Sequence, residues 1–287
     1  MKEKEKNYSC APLPFMGQKR RFVKHYKQVL SDVFYGKEII VDLFGGSGLL
    51  SHVAKRMFPD IRVIYNDYDY YSRRIGSIGT TNCILKELRI ALTCYPEDKL
   101  LTNELKSKVI DILKKYEDKG YVDYITLSSS LLFSMNYALS LKEFAKQSLY
   151  NCVRKNDYDA ATDYLQGVEI THSDYKELYK AYKDKPNVLF VIDPPYLSTQ
   201  CDVYDNYWKL ADYLDVIHIL KCIDYIYFTS NKSSIIELCE WMDGGSFTNP
   251  FKGATKEVVT QKIGINTTYQ DIMLYKKATL KDYFNAA

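Results

Sequence analysis

Apolar residues recur along this chain with two different periods, and the way the two alternate predicts an α/β protein. Short apolar runs at 38–43, at 188–192 (Val188-Leu189-Phe190-Val191-Ile192) and at 225–229 have the length of buried strands, and 61–66 reads the same way with Asp67 at its end. After the first run, Leu49, Leu50, Val53, Ala54, Met57 and Phe58 fall at helical spacing, so a helix is expected over 48–58. Strand, helix, strand in that order is a βαβ start to a parallel sheet. A helix is expected upstream over 17–30, and a further strand over 168–171. Near the end, 257–265 and 269–275, joined by Asn266-Thr267-Thr268, predict a closing antiparallel hairpin.

Between about Ile84 and Gln166 the pattern changes. Leu85, Leu88, Ile90 and Leu92, then Val109, Ile112, Leu113 and Tyr116, suggest helices with few strand signals. The most apolar stretch, 124–141, is broken by Ser128, Ser129, Ser130, Ser134, Asn136 and Ser140; it falls short of a membrane span and reads as a buried helix. The expected organisation is a discontinuous domain of residues 10–85 and 167–287, carrying a helical insertion over 86–166. A length of 287 residues accommodates such a domain and its insert. Hydrophobic residues at 46% and charged ones at 26% argue against disorder outside the charge run at 1–6.

Seven cysteines, an odd number without a C-x-x-C pair, favour reduced thiols and argue against a zinc ribbon. Four histidines without an H-E-x-x-H setting offer no metal site. With no apolar N-terminal signal region, a cytoplasmic location is expected. The net charge of +3 is mild, but Lys19, Arg20, Arg21, Lys24 and Lys27 concentrate it, and Arg73-Arg74 form a second pair with an exposed helix face as its plain reading.

Two motifs carry candidate chemistry. In Asp42-Leu43-Phe44-Gly45-Gly46-Ser47-Gly48 a strand runs into a glycine turn and a helix, where glycines let the backbone approach a ligand closely. A dinucleotide fingerprint would need a third glycine where Ser51 stands, which weakens a nicotinamide reading. Asp67 is spaced to accept from ribose hydroxyls, with a helix N-cap as its plain alternative. The second motif is Asp193-Pro194-Pro195-Tyr196. Its prolines fix an extended turn that aims the Asp193 carboxylate and the Pro194 carbonyl, acceptors suited to the two N–H bonds of an exocyclic base amine. Tyr196 offers a ring on which an extruded base can stack. The plain reading is a Pro-Pro turn closing a strand over a buried tyrosine. Asp42, Asp67, Asp174 and Asp193 all fall at carboxyl ends of expected strands, where doubly wound sheets bind ligands. Such a set of acids suits a cationic cofactor better than a phosphate-bearing one.

In this order the motifs resemble the DNA adenine-N6 methyltransferases, the alpha group of Dam-like, DPPY-type enzymes. Phe44 to Gly48 is similar to that family's F-x-G-x-G element, Asp193 to Tyr196 to its catalytic element, and Pro14-Phe15-Met16-Gly17-Gln18-Lys19 to its N-terminal P-F-x-x-x-G-G-K. Gln18 stands where the family usually has a second glycine, and the insert carries no R-x-N-F-N-G-like sequence. The resemblance implies a doubly wound, mostly parallel seven-stranded sheet with an antiparallel C-terminal hairpin, S-adenosylmethionine as cofactor, and site-specific methyl transfer to a flipped-out adenine of double-stranded DNA. It implies catalytic roles for Asp193, Pro194, Pro195 and Tyr196, and cofactor contacts from Phe15, Gly17, Lys19, Asp42, Phe44, Gly46, Gly48, Asp67, Asp174 and Tyr175. It also implies a metal-free monomer of bacterial or phage origin, with a cognate restriction endonuclease as an open question. The alternatives are a methyltransferase for cytosine N4, an RNA adenine or a protein amide, and an inactive nucleic-acid-binding module of the same fold.

Overall fold

The apolar runs become five parallel strands: β1 (Ile39–Asp42), β2 (Arg62–Asn66), β3 (Glu169–Thr171), β4 (Val188–Ile192) and β5 (Tyr225–Ser230). In this computed structural model, which describes residues 6–133, 136–197, 208–243, 248–262 and 268–279, β6 (Thr255–Lys262) and β7 (Thr268–Lys276) close the sheet as an antiparallel pair. The strand order is β3-β2-β1-β4-β5-β7-β6. The expected turn residues 266–267 lie outside the described residues, and Thr268 is already part of β7.

The central strands read as continuous apolar runs because both their faces are covered. On one face Ile39, Val41, Phe190, Ile192, Tyr225 and Tyr227 join a core with α8 (Tyr175–Tyr182), α9 (Leu210–Ile219) and α10 (Ile235–Asp243). On the other, Ile40, Val63, Leu189, Val191, Ile226 and Phe228 pack with α1 (Val23–Asp32) and α2 (Leu49–Met57). Each fully buried aliphatic or phenylalanine side chain contributes roughly 1.5–3 kcal/mol, so these two layers hold the sheet. Helix α1 begins later than its spacing suggests, after a 3₁₀ turn at Arg20–Phe22.

The described chain divides into two units. The sheet belongs to one, made of Asn7–Cys10, Gln18–Asp69 and Leu165–Ala287; the other is Met1–Lys6, Ala11–Gly17 and Tyr70–Tyr164. The boundary drawn from sequence, at 85/86, falls inside α4 (Ile78–Ala91), whereas the units divide before α3 (Tyr71–Gly76). The reason is packing: Ile84, Leu85 and Leu88 of α4 are buried in the helical unit.

That unit contains α3, α4, α5 (Asn103–Glu117), α6 (Tyr124–Leu131) and α7 (Leu141–Lys146). Thr102, Asp123 and Ser140 cap α5, α6 and α7 by accepting from the N–H of Leu105, Thr126 and Glu143. The stretch 124–141 is not one helix. Ser128 Oγ donates to the Tyr124 carbonyl and accepts from Ala138 N, and Ser129 Oγ donates to Thr126 O, so side chains compete with the helix and α6 stops at Leu131. Arg74 is buried, contrary to its plain surface reading. Its Nε donates to Asp123 at 3.1 Å and its Nη2 to Thr126 Oγ1 and to the Pro14 carbonyl, satisfying a charge that could not otherwise be buried. No helix among the described residues is long and apolar enough to cross a membrane.

Candidate active site

Because β1 to β5 are parallel, their carboxyl ends share one edge. The order changes direction between β1 and β4, with β2 on one side and β5 on the other, and it is at such a switch point that doubly wound sheets bind ligands. The tetrapeptide Asp193-Pro194-Pro195-Tyr196 follows the end of β4 there. Pro194 is buried, and Asp193, Pro195 and Tyr196 are partly so.

Lys19 lies against this tetrapeptide rather than on the surface. Its Nζ is 2.5 Å from Asp193 Oδ2, and the two side chains are 9% and 20% exposed. The same ammonium lies 5.6 Å from the Tyr196 ring centroid and 5.9 Å from that of Phe228. Burial opposes the Lys19 charge, but the Asp193 carboxylate, with the Tyr196 and Asp271 oxygens beyond it, outweighs that and holds the ammonium above its ordinary value. Burial pushes the Asp193 carboxyl up, Lys19 pulls it back, and Asp271 pushes it further up. Burial likewise raises the Tyr196 phenol well above its usual range, so the residue stays neutral.

Asp42 closes β1 and is buried. Ser51 Oγ donates to its Oδ2 at 2.7 Å, whereas its Oδ1 is buried with no hydrogen-bond partner among the described residues. Ser51 thus puts a hydroxyl to use where a dinucleotide fold would carry its third glycine. Burial raises the Asp42 carboxyl to about 7; the Ser51 bond, Lys19 and the Phe44 N–H moderate a rise to which Asp193 adds.

The glycine turn is built around Tyr65 of β2. A Cβ on Gly45 would lie 2.1 Å from the Tyr65 ring, so only glycine fits, and Gly48 sits at φ 70 as the N-cap of α2. Gly46 is also left-handed, and its carbonyl lies 2.7 Å from the Tyr65 hydroxyl. That hydroxyl is also 2.8 Å from Asp67 Oδ1, so its single proton is shared between the two acceptors. Asp67 is fully buried and does not cap a helix: the N-cap of α3 is Tyr70. Asn66, which the sequence reading passed over, ties the edge together. Its Nδ2 donates to the carbonyls of Leu43 and Ser173, and its Oδ1 accepts from Ser173 N.

Past β3, Asp174 is exposed and caps α8, its Oδ1 accepting from Lys176 N at 2.7 Å. Tyr175 turns inward. Its ring lies 4.9 Å from Phe44 and stacks on Trp208 at 5.6 Å, and Trp208 also meets Tyr213 at 5.1 Å. Trp208 therefore packs inward. Tyr204 and Tyr207, the other aromatic residues of the polar segment that leads to Trp208, lie outside the described residues.

The edge thus gathers Lys19, Asp42, Asp193 and Tyr196 into one electrostatic group and Phe44 and Tyr175 into an aromatic one. Phe15 and Gly17 belong to the helical unit: Phe15 meets the Tyr71 ring edge-on at 5.6 Å, and Gly17 is left-handed at φ 83. Asp271 of β7 was missed. Its signal was an acid heading the otherwise apolar run Ile272-Met273-Leu274. Among the described residues no group of His, Cys, Asp and Glu could hold a metal ion.

A seven-stranded sheet in this order, closed by an antiparallel hairpin, is the α/β fold of methyltransferases. A family model for D12 class N6 adenine-specific DNA methyltransferases matches residues 15–244, and the chain belongs to that family. A Haemophilus influenzae protein named as a candidate methyltransferase is 37% identical over 283 residues, which cover 95% of this chain and 94% of that protein. The activity is methylation of adenine N6 in DNA.

Proposed function

We propose that the methyl donor is S-adenosylmethionine, held at the carboxyl edge of β1 and β2, and that the adenine is presented out of the duplex to Asp193 and Tyr196. The observation that carries this reading is the buried, unpartnered Oδ1 of Asp42, beside a Lys19 whose charge Asp193 already balances. A carboxylate raised by burial and short of a partner gains from a cation, so the residues fit a sulfonium cofactor that also bears an ammonium. When bound, that cofactor supplies an activated methyl group open to in-line attack.

The chain's own residues position the amine. The ion pair with Lys19 engages Oδ2 of Asp193, which leaves Oδ1, with the Pro194 carbonyl, to accept the two N6 hydrogens and direct the nitrogen lone pair away from the ring. Lys19 favours the ionised form of Asp193 against its burial, and the carboxylate steadies the positive charge that grows on nitrogen. The proton leaves only after methylation makes the amine cationic, so no general base acts beforehand. Tyr196, neutral and fixed by its neighbours, offers a stacking face. Asp67 with Tyr65 serves the ribose, and Phe44 with Tyr175 the cofactor's adenine; Asp174 contributes by capping α8.

The helical unit supplies target discrimination, being the segment outside the sheet long enough to span several base pairs. Its pair Arg154 and Lys155 is engaged within the chain, Arg154 over the Tyr158 ring at 4.4 Å and Lys155 on Glu97 at 2.9 Å, so phosphate contact there must compete with these. The protein acts as a monomer on duplex DNA. Titration calorimetry with S-adenosylhomocysteine tests the cofactor assignment: the parent and Asp193→Ala should bind it alike and Asp42→Ala weakly, whereas full binding by Asp42→Ala would remove Asp42 from the cofactor site.

A further inference from the structure

β7 starts with polar residues beside the end of β5. Asp271 pairs with Ser230, the last residue of β5, and so stands at the same edge as Asp193. The Gln261 side chain of β6 donates to its Oδ2. Burial raises the Asp271 carboxyl, and three cations pull it back: Lys19, Arg21 and Lys232. Asp193 already balances Lys19, which leaves one carboxylate facing two exposed cations.

Of those two cations, Lys232 is held in place by contacts of its own. Lys232 lies over the Tyr269 ring, 4.2 Å from its centroid, and the charge of Arg21 reaches the Tyr269 hydroxyl. The turn that carries Lys232 is clasped to β7, since Asn231 N donates to the Gln270 carbonyl and Asn231 Oδ1 accepts from Gln270 N, both at 2.9 Å. An exposed lysine on a free loop would pay side-chain and backbone entropy to bind an anion; here much of that ordering is already done.

We propose that Arg21 and Lys232, flanking Tyr269 and Asp271, seat a backbone phosphate of DNA next to the nucleotide whose base reaches Asp193. The proposal rests on the reading of Asp193 as the residue that meets the adenine. Extruding a base costs a few kcal/mol of stacking and pairing, and phosphate contacts fix where the backbone must lie for the base to arrive. Asp271 spaces the cations and limits how much positive charge the edge shows to other anions.

The test is duplex binding in the presence of S-adenosylhomocysteine over a range of salt concentrations. Relative to the parent, the double variant Arg21→Ala, Lys232→Ala should lower the slope of log affinity against log salt by about 0.9 for the lost phosphate contact. The KM for DNA should rise about tenfold with kcat and S-adenosylhomocysteine affinity held, a split that fits lost substrate binding. Asp271→Asn, which keeps an acceptor for Gln261 but removes the charge, should act in the opposite sense and tighten DNA binding. An unchanged salt slope in the double variant would overturn the phosphate seat. A parent protein that methylates no DNA adenine would instead sink the reading of Asp193.

Discussion

Lys19 and Asp193, on segments that residues Tyr70–Tyr164 of the helical unit separate in sequence, form a 2.5 Å ion pair at the carboxyl edge of the sheet. Burial pushes the Asp193 carboxyl toward its neutral form, and the ammonium works against that push. Lys19→Met should therefore move the acidic limb of kcat against pH upward, because without the ammonium the buried carboxyl takes up its proton at a higher pH. Lys19→Arg should stay close to the parent. A limb that does not move in Lys19→Met would show that Asp193 does not depend on this pair.

Asp42 carries a stability cost that depends on pH. Its carboxyl is raised from 3.8 to about 7, so between those values the folded chain holds a proton that the unfolded chain has lost, and stability falls as pH rises through that window. Asp42→Asn, which still accepts from Ser51, should melt higher than the parent above pH 7 by a few degrees, on the order of 1–3 kcal/mol, and equally near pH 4. Thermal melts at both pH values decide it: equal shifts at each would mean that the carboxyl is not raised.

Much of this was legible in the sequence, and the parts that were not share a cause. The strands 38–43 and 188–192 and the two motifs at their ends are local patterns, so their place at one sheet edge follows once the strands are parallel. Pairings across long sequence distances are not local. Lys19 reads equally as a cofactor ligand or a surface lysine until Asp193 is found beside it. Arg73-Arg74 reads as one exposed face, although Asp123 buries Arg74. The division at Asp69 was hidden because α4 has the same helical spacing whichever unit it packs in. The 124–141 stretch failed as a helix because serine hydroxyls bond the backbone locally, an effect that apolar spacing does not register.

The fit of Gly45 against Tyr65 predicts a sharp intolerance. A methyl group there would meet the ring at 2.1 Å and the Asn66 carbonyl at 2.9 Å, and the ring is boxed in by the core. Gly45→Ala should cost roughly 2–3 kcal/mol and lower the melting temperature by about 4–12 °C. A melting temperature within a degree of the parent would mean that the turn relaxes freely.

Tyr65 and Asp67 separate two ways of losing the cofactor. Asp67→Ala should weaken S-adenosylmethionine binding at least about tenfold, by removing a ribose acceptor worth about 1.5–3 kcal/mol. Tyr65→Phe keeps the carboxylate but not its hydroxyl support, and should weaken binding only a few-fold, by about 0.5–1.5 kcal/mol. Calorimetry that finds Asp67→Ala unchanged would leave Asp67 a structural residue bonded to Tyr65.

The most direct measurement is nucleoside mass spectrometry of duplex DNA incubated with S-adenosylmethionine and either the parent protein or Asp193→Ala. The parent should yield N6-methyladenine, and Asp193→Ala none above background while still binding S-adenosylhomocysteine. N6-methyladenine from Asp193→Ala at the parental rate, or a methyl group found by the parent only on cytosine, would contradict the account.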